Sequence, residues 1–319
     1  MKKAFITGIS GFAGSYLSRL LLQKGDYVVS GTYHSENSLQ GINDITDKLT
    51  LIQVDLTKSD QIDHAIATVD ADIIFHLAAL ASPSQSFKDP SFTFSTNIIG
   101  QINLLEAIKK HSHMPSKILI ISSAEVYGKV APSDLPIDEE TQMRPVSPYA
   151  VSKIAQDYLG LQYFMTYNMP IIRTRPFNHI GPRQKPAYAV AAFASQIAKI
   201  EKGQQEPVLK VGNLSARRDF TDVRDIVQAY VALVEKGDEG DVYNVGSGTS
   251  QKMSDILERL VALSTSKISI IKDASRLMPI DIADNRSDIT KVTQKTGWKP
   301  AISLDTSLRD VLDYWRNIP

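Results

Sequence analysis

The sequence predicts an α/β fold, a doubly wound parallel sheet with a smaller C-terminal substrate-binding domain. Three observations predict it. Ala4-Phe5-Ile6-Thr7 is a short apolar run that ends in a glycine-rich turn, Gly8-Ile9-Ser10-Gly11-Phe12-Ala13-Gly14. A helical pattern follows from about Ser15 to Lys24. Strand-length apolar runs then alternate with helical segments as far as Pro176, the rhythm of βαβ units.

Strand, glycine turn and helix, in that order, form the context of a dinucleotide-binding site. Glycines let the backbone approach a pyrophosphate, and the helix N-terminus supplies N–H donors and positive potential. The spacing is Gly-x-x-Gly-x-x-Gly, not the commoner Gly-x-Gly-x-x-Gly. Gly8, Ser10, Gly11, Phe12, Ala13 and Gly14 are therefore candidate cofactor residues. A second strand covers Tyr27 to Tyr33, and an acid near its end would bind the ribose hydroxyls of NAD. Here the segment reads Gly31-Thr32-Tyr33-His34-Ser35, and the first acid is Glu36. A polar, weakly basic site at His34 leaves room for the 2′-phosphate of NADP and does not decide between NADP and NAD.

Leu51 to Val54 is a third strand, ending in Asp55-Leu56. An acid there either accepts from an adenine amino group or caps the next element. The fourth strand, Ile73 to Ala79, ends in Leu77-Ala78-Ala79, where a cofactor can lie against backbone. His76 within it reads as a packed core histidine. No second histidine stands at metal-ligand spacing, so no metal is expected. Asn97 begins a helix to about His111. Lys117 to Ser122 is a fifth strand, followed by Ser123-Ala124-Glu125. Ligands of open parallel sheets bind beyond the strand C-termini. The Ser123 hydroxyl can there bond a substrate oxygen. Glu125 can bind a sugar hydroxyl, act as a base, or simply be a solvated loop residue.

The acidic, Pro-rich segment 131–145 reads as a surface loop. Ser147-Pro148 then starts a helix to about Tyr167: serine is a good N-cap, and proline suits the first helical position. Tyr149 and Lys153 stand one turn apart on one face of it. A free phenol has a pKa of about 10, and a nearby cation and the positive helix end favour the phenolate. Such a tyrosine can exchange a proton with an alcohol near neutral pH. Tyr-x-x-x-Lys by itself fits an ordinary amphipathic helix equally well. A sixth strand spans Pro170 to Arg175. Beyond it lie helices at 189–202, 222–236, 253–263 and 304–315, and strands at 208–211, 242–246 and 268–271. The organisation expected is a cofactor domain over 1–170, rejoined by segments around 219–248, and a substrate region over 171–319. Trp298 and Trp315 read as core residues.

Composition narrows the partners. Lys plus Arg and Asp plus Glu balance at 35 each, so nothing points to nucleic acid or an anionic membrane. There is no cysteine, which excludes disulfides and thiolate chemistry. Lys2-Lys3 begins like a secretory signal, but Gly8, Ser10, Gly11 and Gly14 break the apolar stretch. No segment reaches the roughly 20 apolar residues that span a bilayer. A soluble, cytoplasmic protein is expected.

Taken together, Thr7–Gly14, Asp55-Leu56, His76–Ala79, Asn97, Ser122-Ser123, Tyr149-Ala150-Val151-Ser152-Lys153 and Arg218-Asp219-Phe220 resemble the extended short-chain dehydrogenase/reductases that act on nucleotide sugars. The resemblance runs nearly end to end and implies a Rossmann-type fold. It implies Tyr149 as acid/base, Lys153 on the nicotinamide ribose, and Ser123 orienting the substrate oxygen. Cofactor contacts are also implied at Leu56, Asn97, Ser122 and His179. The segments 175–183 and 212–220 resemble the GDP-mannose 4,6-dehydratase and GDP-4-keto-6-deoxymannose reductase branch. That branch implies substrate contacts at Asn178 and Arg218, with GDP-linked sugars favoured, and Ser84, Arg183 and Arg276 are further substrate candidates. Arginine suits a diphosphate because its fork makes paired charge-assisted bonds. Met278 stands where the family often has arginine. A homodimer through helices 97–111 and 148–167 is also implied.

Dehydratases of the branch carry Thr-Asp-Glu or Thr-Ser-Glu at the active-site turn. Ser123-Ala124-Glu125 departs from that, and alanine cannot transfer a proton. A reductase that consumes NADPH or NADH as substrate is therefore expected. The alternatives are a 4,6-dehydratase or 4-epimerase that recycles its cofactor, or a non-catalytic nucleotide-binding protein. An intact Ser-Tyr-Lys set argues against the last.

Overall fold

The computed structural model describes residues 1–276 and 282–318; Met278 lies outside the described residues. Its large sheet holds seven parallel strands: β1 (Lys2–Thr7), β2 (Tyr27–Tyr33), β3 (Thr50–Gln53), β4 (Ile73–His76), β5 (Lys117–Ile121), β6 (Ile171–Pro176) and β10 (Val242–Val245). Their order is β10-β6-β5-β4-β1-β2-β3, doubly wound with the reversal between β1 and β4. Both faces are covered, which is why the strands read as continuous apolar runs. Side chains alternate between the faces. Ala4 and Ile6 of β1 join the core under α1 (Phe12–Lys24), while Phe5 joins the core under α2 (Ser59–Val69).

Two short turns, α3 (Pro83–Ser86) and α4 (Pro90–Phe94), precede α5 (Gly100–Lys110). The helical path begins earlier than Asn97: α4 passes through a π-helical turn, Ser95–Ile99, directly into α5. Asn97 lies inside that turn. The catalytic-helix expectation is met, since α6 runs Pro148–Tyr167 with the Ser147 hydroxyl accepting from Ala150 N at 3.1 Å.

β6 sits in the sheet between β5 and β10, so the sheet extends past residue 170. Helix α8 (Val223–Lys236) and α10 (Thr290–Thr296) pack on the same face as α1. The remaining elements build a smaller lobe. They are β7 (Asn178–Ile180), β9 (Arg217–Asp222) and β11 (Ser250–Lys252) in one sheet, and β8 (Val208–Val211) with β12 (Ser269–Lys272) in another. Helices α7 (Ala189–Glu201), α9 (Met253–Ala262) and α11 (Leu304–Asn317) enclose its core, to which Trp315 contributes. Trp298 is buried under α8, its indole N–H donating to Asp225 O at 3.0 Å.

Segment 131–145 is more than a surface loop. Ile137 is fully buried beside Tyr127 and Phe177, and pairs with Ser287. No helix among the described residues is long and apolar enough to cross a membrane.

Candidate active site

The glycine turn closes onto the sheet as its residue types require. Gly8 adopts φ +72°, and a Cβ there would lie 2.9 Å from Ala78 Cα. A Cβ at Gly14 would lie 2.3 Å from Gly8 O. Only glycine permits either approach. Thr7 Oγ1 accepts from Ala78 N at 3.2 Å and meets His76 Nδ1 at 2.8 Å, which ties the ends of β1 and β4 together. The N-cap of α1 is Gly11, which supplies no side-chain cap, and its first turn holds no acid. First-turn N–H groups are thus left for an external anion. Turn, bare helix end and the backbone of Leu77-Ala78-Ala79 form a cradle that fits a dinucleotide pyrophosphate.

The other expected cofactor residues surround this cradle. Ser10 Oγ donates to Ser38 Oγ at 2.9 Å, on the loop after β2. His34 is exposed near Asp55 and helps hold the Asp55 carboxyl below its usual range, chiefly set by Thr57. Asp55 Oδ1 accepts from Thr57 N at 2.9 Å and Thr57 Oγ1 at 2.7 Å, so this oxygen acts as a turn cap. Leu56 is buried, and its carbonyl accepts from Asn103. The His179 ring lies parallel to Phe12 at 5.9 Å, with burial keeping it neutral.

Tyr149 and Lys153 are both buried on the inner face of α6. Ser123 lies near enough to the Tyr149 phenol to favour its ionised form, and Ser123 Oγ accepts from Glu125 N at 3.2 Å. The electrostatics differ from the sequence expectation. Lys153 Nζ donates to the Ile121 carbonyl at 2.8 Å and does not pair with the phenol. Burial raises the Tyr149 pKa, only partly offset by Ser123, and Tyr188 and Glu125 push it further up. Burial also lowers Lys153 to about 7, against the opposing charge of Asp157. A cation one turn along the helix is adjacent in sequence, but desolvation of both groups outweighs its pull.

Asn97 is held by bonds inside the protein. Its side chain is fully buried, its Oδ1 accepts from Leu80 N at 2.7 Å, and its amide donates to Leu80 O at 3.2 Å and Ser152 Oγ at 2.9 Å. Asn97 braces the loop after β4 against α6. Ser122 Oγ donates to Lys153 O at 3.2 Å, another internal brace. Arg183 packs against α1. Its guanidinium lies 4.3 Å over the Tyr16 ring on α1, and its backbone takes φ +70°.

Of the other substrate candidates, Asn178 heads β7, and its Oδ1 is buried without a partner, a vacancy in its bonding that a ligand donor would fill. Ser84 Oγ meets Ser82 Oγ at 3.1 Å. Arg218 donates to Arg217 O and Ile282 O. Arg276 lines a cavity of about 640 Å³ with Pro186, Ala192, Gln196 and Lys199. Arg217 pairs with Ser250 and Asp284 at the surface.

Several residues that build the site were missed. Asp157, two turns beyond Tyr149, binds Arg173 Nη1 at 2.7 Å and Arg175 Nε at 2.8 Å on β6, all three buried. Two arginines in an apolar strand were the available signal, because each demands a buried acid. Ser86 Oγ accepts from Tyr149 N at 3.0 Å, and nothing in the sequence marked it. His76 is a core residue, burial taking it down to about 3.

Comparison with known proteins agrees with this geometry. Residues 5–311 match the GDP-mannose 4,6 dehydratase family. The chain is 35% identical over 316 residues to a GDP-6-deoxy-D-mannose reductase of Pseudomonas aeruginosa, covering 99% of this chain and 98% of that one. It is 28% identical to a human GDP-mannose 4,6 dehydratase, covering 97% and 90% of the two. The structure of RMD from Pseudomonas aeruginosa complexed with NADPH superposes with a TM-score of 0.86 at 34% identity, over 99% of each chain. The chain belongs to the GDP-mannose 4,6-dehydratase family of extended short-chain dehydrogenase/reductases, enzymes that use NAD(P) on nucleotide sugars.

Proposed function

We propose that this enzyme reduces the C4 keto group of a nucleotide-activated 4-keto-6-deoxyhexose with NADPH or NADH. The substrate favoured is GDP-4-keto-6-deoxy-D-mannose, and the product a GDP-6-deoxyhexose such as GDP-D-rhamnose. The observation that carries this reading is the active-site turn. Ser123 bears on the Tyr149 phenol and favours its ionised form, and Ala124 between Ser123 and Glu125 offers no group for the elimination that a dehydratase needs. The relation to a GDP-6-deoxy-D-mannose reductase supports it.

When bound, the reduced nicotinamide would supply the hydride. The glycine turn from Gly8 to Gly14 and the backbone of Leu77 to Ala79 would hold the dinucleotide. Ser123 donates to the carbonyl oxygen, and Tyr149 gives its proton to the same oxygen as negative charge develops there. A phenol of raised pKa is protonated at neutral pH, which suits a donor and opposes the base that alcohol oxidation would need first. Lys153 adds positive potential, and Glu125, beside the phenol, is placed for a sugar hydroxyl. Asn178 Oδ1 is the acceptor for a further substrate donor. Arg218 and Arg276 are assigned to the diphosphate. A second copy is assigned to the outer face of α6, where Val151, Tyr158 and Met165 recur every seven residues and are exposed, beside exposed Phe92 and Ile99.

The test follows the absorbance of NADPH and NADH on addition of GDP-4-keto-6-deoxymannose. Stoichiometric loss with a new GDP-6-deoxyhexose by NMR is expected. No loss, with GDP-mannose or another nucleotide sugar converted without net cofactor change, would replace the reductase reading by a dehydratase or epimerase.

A further inference from the structure

One aromatic residue near Tyr149 has had no role so far. Tyr188 occupies the N-cap position of α7 but makes no side-chain cap bond. Its hydroxyl donates instead to the Ala81 carbonyl at 3.2 Å, in the loop after β4. That bond crosses from the start of the smaller lobe to the C-terminal edge of the large sheet. The Tyr188 phenol lies within electrostatic reach of Tyr149 and raises its pKa. The loop it touches is fastened to the catalytic helix through Ser86 and Asn97. Behind Tyr188, Pro186 and Ala192 line the cavity of about 640 Å³ that also contains Arg276. A cavity of that size takes a nucleotide-sized ligand. Tyr188 is thus flanked in sequence by residues that line this cavity and lies within electrostatic reach of Tyr149.

We propose that Tyr188 is a substrate-positioning residue that recognises the hexose. Its ring walls the sugar against Tyr149 and Ser123, and its hydroxyl exchanges the Ala81 carbonyl for a hexose oxygen. The exchange is easy because the Ala81 bond is long and the residue is 36% exposed. The proposal rests on the nucleotide-sugar reading above and adds the residue that separates a nucleotide sugar from the bare nucleotide.

The experiment titrates the full chain, saturated with NADP+, with GDP and GDP-mannose, and with UDP and UDP-glucose, by calorimetry. Wild type, Tyr188→Phe and Tyr188→Ala are compared, and NADPH affinity reports whether each variant is folded. Tyr188→Phe is expected to weaken GDP-mannose about three- to tenfold, the worth of one hydrogen bond. Tyr188→Ala is expected to weaken it by more than about tenfold. GDP and NADPH affinities should stay within about twofold, inside the spread of a site not touched. In turnover, Tyr188→Phe should raise KM more than it lowers kcat. Equal losses for GDP and GDP-mannose, or no loss in Tyr188→Ala, would overturn the proposal. Wild-type binding of the UDP pair alone would refute the guanine assignment and leave Tyr188 to be judged on that pair. Binding of neither pair would overturn the nucleotide-sugar reading and this proposal together.

Discussion

Replacing Asp157 by Asn should unfasten the catalytic helix. The Asp157 carboxylate is fully buried and binds Arg173 Nη1 at 2.7 Å and Arg175 Nε at 2.8 Å. Arg175 keeps partners in Tyr127 Oη and Glu139 O, both at 2.9 Å, and Arg173 keeps Gly240 O at 2.9 Å. Those are neutral acceptors, so the amide would take the directly bonded counter-charge from two buried cations and leave Arg175 only the Glu139 carboxyl within electrostatic reach. Breaking a buried pair from one side costs about 3–5 kcal/mol. With an unfolding entropy of about 2.1 cal/mol/K per residue, 319 residues give roughly 0.7 kcal/mol/K. The expected fall in Tm is therefore about 4–7 °C. The assay is thermal and urea unfolding of Asp157→Asn beside wild type. The carboxylate also draws the Lys153 pKa upward, so the variant's Lys153 should titrate lower still. A loss below about 1 kcal/mol, the range of an exposed pair, would refute the claim that this cluster sets the seat of α6.

Other outcomes follow from the same geometry. Tyr149→Phe should lower kcat by about 10²–10⁴, the usual worth of a proton donor, while calorimetric NADPH affinity stays near wild type; near-normal turnover would remove Tyr149 from the chemistry. Gly14→Ala places a methyl 2.3 Å from Gly8 O, so dinucleotide affinity should fall by more than about tenfold as the turn opens; unchanged affinity would show that the turn does not hold the cofactor. Lys153 is held down at about 7 from 10.5. Its burial therefore costs stability fully below pH 7, and the cost is relieved as pH rises from 7 toward 10.5, because the unfolded chain binds the extra proton there. Lys153→Met should then raise the denaturation midpoint more at pH 6.5 than at pH 9.5, and an equal gain at both would contradict the burial.

Much of the fold was legible because it is written in local periodicity. β1, β2, β5, α6 and α7 match their expected spans closely, since apolar runs, a serine cap and a proline at the first helical turn are short-range signals. The three strands β7, β9 and β11 were not anticipated. They are short, carry polar residues such as Arg217, Arg218 and Gln251, and exist because they pair with one another. Asn97 showed its importance but not its task. An amide can serve a ligand or the chain, and only the position of Leu80 and Ser152 made it a brace.

The sequence alone determined the glycine turn, the apolar runs that become the buried strands and the presence of Tyr149 and Lys153 on one helix face. Each depends on residues within a turn or two of each other, where backbone sterics leave few choices. Tertiary structure decided where long side chains ended. It sent Arg183 onto Tyr16, gave Lys153 to the Ile121 carbonyl and joined Asp157 to two arginines on the neighbouring strand. It also decided the charge state of the proton donor. A pKa is set by how much water folding removes and which dipoles replace it, and for Tyr149 those come from Ser123, Glu125 and Tyr188, which two distant segments bring to one place.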